Sequence, residues 1–124
     1  MAKQHSPAFL ELVDDAKTRI SELDPDQLRE RRQAHPDLQV VDVREDHEYE
    51  DEHVRDAHHL SKGTIERDVE EVFPDKDTEM VLYCGGGFRS ALTADNLQRM
   101  GYRNVHSLDG GIRALKAAGF EMSA

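Results

Sequence analysis

The chain has 124 residues, enough for one domain with its own core and too few for two. Hydrophobic residues supply 37% and charged residues 34%, and no run nears the ~20 apolar residues of a helical membrane span. A net charge of −10 argues against nucleic acid or an anionic membrane as partner, and a single cysteine leaves no internal disulfide framework and suits a reducing, cytoplasmic compartment.

Residues 1–7 lack the apolar stretch of a signal peptide. Ser6-Pro7 then reads as an N-cap with proline at the first helical position. Phe9, Leu10, Val13, Ala16 and Ile20 form an apolar stripe opposite Glu11, Asp14, Asp15, Lys17 and Arg19, which predicts an amphipathic helix over 7–19 packed on the domain. A short strand follows at 20–23, and Asp24-Pro25 caps a helix over about 25–34 that Pro36-Asp37 ends. Residues 38–43 are β-branched and nearly all apolar, the pattern of a central parallel strand. A turn of helix is expected over 46–51, then a polar loop at 52–63 with a short strand at 57–60. A weakly amphipathic helix over 64–72 stops before Pro74. The apolar strand at 80–83 leads into a helix at 89–100 closed by Gly101, then a strand at 105–108, Asp109-Gly110-Gly111, and a last helix at 112–118 before Gly119. Strands alternating with helices predict an α/β fold with an open, mostly parallel sheet. Ligands of such sheets bind at the carboxyl ends of the strands, where Cys84 falls.

The chemistry concentrates at Cys84-Gly85-Gly86-Gly87-Phe88-Arg89-Ser90. Strand, glycine turn and helix N-terminus together form a cup of backbone N–H groups, and the positive end of the helix dipole makes such a cup an anion site. For a thiol, that field favours the thiolate. A buried structural cysteine beside an ordinary αβ turn is the bland alternative. Three consecutive glycines argue against it, because they lose the most backbone entropy and so suggest close approach to a ligand. Arg89 is expected to face the anion in the cup.

The order and spacing of several segments resemble the single-domain rhodaneses over residues 20–119. They are Val41-Asp42-Val43-Arg44-Glu45 with Glu48-Tyr49; His53-Val54 and Ala57; Val81-Leu82-Tyr83-Cys84 through Arg89-Ser90-Ala91; and Gly101-Tyr102-Arg103-Asn104-Val105 leading to Leu108-Asp109-Gly110-Gly111. The resemblance implies a rhodanese-like domain over 20–124 with residues 1–19 as an N-terminal helical extension. It also implies sulfur transfer through a Cys84 persulfide, from a small donor such as thiosulfate to a thiol, a protein or cyanide, without metal or cofactor. Catalysis falls to Cys84, substrate binding to Gly85, Gly86, Gly87, Phe88 and Arg89, and a supporting role to Asp42, Arg44 and Ser90. Phosphatase relatives space the motif C-x5-R, whereas Cys84 and Arg89 are spaced C-x4-R, the shorter sulfurtransferase loop. A sulfur relay or binding module serving a protein partner is the alternative to an enzyme.

Asp42 and Arg44 match the family's D-x-R element and are expected to fix the active loop or shape its rim. A surface ion pair is the plain alternative. His47, His53, His58 and His59 cluster in sequence, but their spacing and the absence of a second cysteine do not make a zinc site. Glu66, Asp68, Glu70 and Glu71 read as a solvated helix face. Because the loop between Cys84 and Arg89 holds no cation or hydroxyl, the sulfonate of thiosulfate is expected to rest on backbone amides and Arg89 alone. A KM of about millimolar or worse follows.

Overall fold

In the computed structural model, which describes residues 4–124, the elements run α1 (Pro7–Lys17), β1 (Ser21–Leu23), α2 (Pro25–Ala34), β2 (Gln39–Asp42), α3 (Asp46–Asp51), β3 (His53–Val54), β4 (His58–His59), α4 (Ile65–Val72), β5 (Met80–Tyr83), α5 (Phe88–Arg99), β6 (Val105–Leu108), α6 (Gly111–Ala117) and β7 (Met122–Ser123). Residues 1–3, the start of the expected extension, lie outside the described residues. Local chemistry sets the boundaries. Asp24 caps α2 reciprocally: its carboxylate accepts from Gln27 N at 2.8 Å while Asp24 N donates to Gln27 Oε1 at 2.9 Å. Helix α1 ends at Lys17, two residues before the expected 19, where Thr18 turns its hydroxyl back onto the Asp15 carbonyl.

Five strands form one parallel sheet in the order β1-β6-β5-β2-β4. β5 lies at its centre, so all four of its residues are buried and the run is apolar throughout. Side-chain alternation divides the core in two. Met80, Leu82 and Cys84 point into a cluster with Ile65, Val69, Ala94 and Leu97 of α4 and α5. Val81 and Tyr83 point the other way, among Leu28, Ile112 and Leu115 of α2 and α6. This period of two carries the β5 chain to Cys84 at the carboxyl edge of the sheet, with neighbouring strands on both sides.

Two features frame that edge. A second, antiparallel pair joins β3 to β7, with Val54 opposite Met122; the sequence reading leaves both segments as loop or tail. Helix α1 docks on α5 with Val13 and Ala16 buried. The Arg19 guanidinium pins this docking, donating to both carboxylate oxygens of Asp95 at 3.0 and 2.9 Å and to Asp15 at 2.9 Å. No helix among the described residues is long and apolar enough to cross a membrane.

Because Val13 is fully buried against α5, Val13→Asp places an unpaired charge in that contact. The expected result is a loss of more than about 2 kcal/mol in urea unfolding, with early proteolytic release of α1. An unchanged midpoint would mean that α1 is a dispensable appendage.

Candidate active site

Cys84 directly follows β5, and the chain then wraps around its own sulfur. The thiol is only 1% exposed. Two backbone donors converge on Sγ, Gly87 N at 3.1 Å and Ser90 N at 3.4 Å, and the thiol itself donates to the Ser90 hydroxyl oxygen at 3.5 Å. Ser90 Oγ shares a further 2.8 Å hydrogen bond with Ser107 Oγ of β6. When the sulfur is negative, Ser107 donates to Ser90 and Ser90 to Sγ, so the hydroxyl pair lines up behind the charge. The N–H groups of Gly85, Gly86, Phe88 and Arg89 have no acceptor among the described residues and remain the loop's spare donors. The expected cup is therefore formed, with Gly87 and Ser90 as its inner donors.

What holds the cup is a second glycine turn. Ile112 N donates to the Cys84 carbonyl at 2.8 Å and Arg113 N to the Gly85 carbonyl at 3.4 Å, so the start of α6 underlies the loop. Gly111, at φ 58°, lies so close that a Cβ there would stand 2.5 Å from both of those carbonyl oxygens. Gly87 caps α5 at φ 99°, a conformation that glycine adopts at no steric cost. The other two loop glycines differ. Gly85 and Gly86 do not take positive φ, and side chains there would meet only the ends of Arg89, Arg113 and Phe88. They leave space over the loop and impose no backbone requirement.

Arg89 lines the pocket above Cys84, but it is already paired there. Its guanidinium grips Glu48 of α3 in a two-pronged ion pair, Nη1 to Oε1 at 2.8 Å and Nη2 to Oε2 at 3.2 Å. This hydrogen bonding holds the Glu48 carboxyl down at about 2, against burial, which raises it. Arg89 thus ties the loop to α3 and has a carboxylate partner before any ligand arrives. Asp42 and Arg44 do not hydrogen-bond the loop either. They form a buried pair, with Arg44 Nη2 2.8 Å from Asp42 Oδ2 and Arg44 N 2.8 Å from Asp42 Oδ1. Arg44 Nη2 also donates to the Glu52 carbonyl, at the end of α3. They support the site at one remove, by fixing the segment that carries Glu48. Three of the clustered histidines have structural partners. Tyr49 is stacked between His53 at 3.8 Å and His59 at 4.3 Å, and His58 hydrogen-bonds Gln39.

The residues that sequence reading missed come from the chain's two ends. Arg113, at the start of α6, reaches over the loop: a Cβ on Gly86 would meet its Nη1 at 3.3 Å, and one on Gly85 its Nη2 at 3.9 Å. Among the described residues it has no carboxylate partner. The expectation that the cup lacks any cation beyond Arg89 is corrected here, since the cation comes from a different element. Its signal was Asp109-Gly110-Gly111 after a strand beside β5, which places the next residues at the same edge of the sheet. From the other end, His5 and Phe9 face Phe88 across the mouth. Together these groups enclose an open-sided pocket of about 670 Å³ above Cys84.

Comparison with known proteins agrees with this geometry. Residues 24–118 match the family model described as Rhodanese-like domain. The chain is 35% identical over 98 residues to the thiosulfate sulfurtransferase GlpE of Coxiella burnetii, covering 79% of this chain and 86% of that one. It is 36% identical over 81 residues to a tRNA uridine(34) hydroxylase of Hamiltonella defensa, but spans only 23% of that longer protein. A Rhodopseudomonas palustris structure described as "Possible Tyrosine Phosphatase" superposes with a TM-score of 0.85 at 26% identity, covering 99% of both chains and so including α1.

Gly111→Ala is expected to cost more than about 2 kcal/mol in urea unfolding, while Gly86→Ala stays within about 0.5 kcal/mol. Equal effects would mean that the contact of Gly111 with the loop is unimportant. Glu48 ionises more easily folded than unfolded, so its pairing stabilises fully above its ordinary value of 4.5 and is lost as pH falls toward 2. Glu48→Gln should therefore cost about 1–2 kcal/mol at pH 7, after allowance for solvent screening. The cost should vanish by about pH 2. A pH-independent difference would contradict the pairing.

Proposed function

The chain belongs to the rhodanese-like domain family, and on that premise we propose that it is a sulfurtransferase carrying sulfur as a persulfide on Cys84. One observation supports this reading above the others: two backbone N–H donors at 3.1 and 3.4 Å meet on a buried sulfur beneath an open pocket, with the Ser90 hydroxyl 3.5 Å away and able to turn onto the sulfur once the thiol is ionised. Such an arrangement stabilises negative charge on sulfur before and after transfer, as an oxyanion hole does for oxygen.

The reaction then runs in two displacements. The Cys84 thiolate attacks the outer sulfur of a donor; with thiosulfate, a new S–S bond forms, the bond to the SO3 group breaks, and sulfite leaves with the electron pair. An acceptor then attacks the outer sulfur of the persulfide. Cyanide leaves as thiocyanate, a thiolate leaves as its own persulfide, and Cys84 returns as thiolate. The spare amides of the loop and Arg113 are suited to hold the oxygens of the donor, while Arg89 and Glu48 keep the loop in place. A small sulfur donor and a thiol acceptor, which can be a protein, are the partners proposed, in a reducing cytoplasmic setting suited to a lone cysteine.

The likeness to a structure described as a possible tyrosine phosphatase raises a second reading. Two features weigh against it here. Only four residues separate Cys84 from Arg89, and the Arg89 guanidinium is committed to Glu48 rather than free for a phosphoryl group. A relay module with little turnover of its own would share the persulfide and lack the fast second step.

Cyanide-dependent thiocyanate formation from thiosulfate separates these readings. Cys84→Ser should lower it by at least about 10³-fold with the fold intact. Arg113→Ala should raise the thiosulfate KM about 10–100-fold, the loss of one charge-assisted hydrogen bond. A Cys84→Ser protein with wild-type turnover would sink the proposal. Persulfide formation without turnover would favour the relay.

A further inference from the structure

The pocket over Cys84 has two unlike walls. One is cationic, the Arg113 guanidinium lying over Gly85 and Gly86. The other is aromatic and comes largely from outside the family domain. His5 lies 4.6 Å from the Phe88 ring and 5.2 Å from Phe9, and Phe9 lies 6.2 Å from Phe88, all three rings tilted by 51–59°. These spacings fall in the range of favourable aromatic contact. Lys17 Nζ lies over the Phe88 ring at 5.6 Å. The walls meet above Gly86, where an added Cβ would touch Arg113 Nη1 at 3.3 Å and the Phe88 ring at 3.6 Å.

The aromatic wall is not needed for a bare inorganic anion. The enclosed volume of about 670 Å³ lies within the roughly 300–1,000 Å³ of sites for sizeable organic ligands. All three rings remain partly exposed and line it. The family match begins only at residue 24, so His5 and Phe9 are additions to the domain, Phe9 carried on the helix that packs on α5.

We propose that residues 4–9 and Phe88 form an aromatic subsite beside the persulfide cup, selecting sulfane-sulfur donors that carry a flat apolar group next to an anionic one. The proposal rests on the sulfurtransferase reading and names the donor class for it. With an arylthiosulfonate, Ar–SO2–S⁻, the sulfonyl oxygens face Arg113 and the aryl ring packs on Phe9, His5 and Phe88. The Cys84 thiolate attacks the terminal sulfur, an S–S bond forms, the S–SO2Ar bond breaks, and arenesulfinate leaves with the electron pair.

The test compares three donors by kcat/KM, with cyanide as acceptor: benzenethiosulfonate, methanethiosulfonate and thiosulfate. The wild-type chain is expected to prefer the benzene donor over the methane donor by about tenfold or more, the sign of a ring gaining apolar burial. Phe9→Ala and His5→Ala should each cut that ratio severalfold. His5 precedes α1 and is no part of its buried face, so its variant remains informative should Phe9→Ala disturb folding. A wild-type ratio near one, or a ratio that neither substitution changes, overturns the aromatic subsite while leaving sulfur transfer standing. Failure of all three donors to yield thiocyanate overturns both.

Discussion

The site depends on one close approach of backbone to backbone. Gly111 brings the start of α6 against the carbonyls of Cys84 and Gly85, where no side chain would fit. With those carbonyls engaged by Ile112 N and Arg113 N, the loop cannot relax away from the sheet. It turns instead around the sulfur through Gly87, and the N–H groups of Gly87 and Ser90 face Sγ. Buried donors and acceptors are costly to leave unpaired, so the arrangement is self-consistent: carbonyls point down to α6 and N–H groups point in to the thiol. A buried cysteine in an apolar strand would otherwise be an inert hydrophobe.

Charge around the cup is distributed in the same economical way. The chain as a whole is strongly acidic, so long-range attraction does nothing for an anionic donor. Local cations must act, and two arginines share the work unequally. Arg89 is spent on Glu48, a partly buried pair that fixes loop to α3. Arg113 keeps its charge for the pocket. Asp42 and Arg44 extend this framework beneath α3, where neither touches the sulfur loop.

Much of this was legible because it is local. A buried apolar run, a glycine turn and a helix start are contiguous from Met80 to Ser90, so Cys84 and its cup could be read directly. The parallel sheet followed from the alternation of strands with helices. Other features depend on distance in sequence. The pairing of Arg89 with Glu48 joins two helices, and nothing in the motif says that a carboxylate from α3 will claim that arginine. Arg113 and the rings of His5 and Phe9 reach the pocket only through tertiary packing of α6 and α1. Strands β3 and β7 have two residues each, too short for any periodicity to mark them. The glycine run was read too uniformly. Only Gly87 of the three needs glycine's backbone freedom, while the more demanding position is Gly111, on another element.

The central claim is that the Cys84 sulfur, held by Gly87 and Ser90, becomes a persulfide. Mass spectrometry of the intact chain after exposure to thiosulfate or a thiosulfonate tests it most directly. The account predicts a single gain of roughly 32 Da, one sulfur atom, mapped by peptide analysis to Cys84 and removed by cyanide. A folded chain that gains no sulfur from any donor, or gains it elsewhere than Cys84, would contradict it.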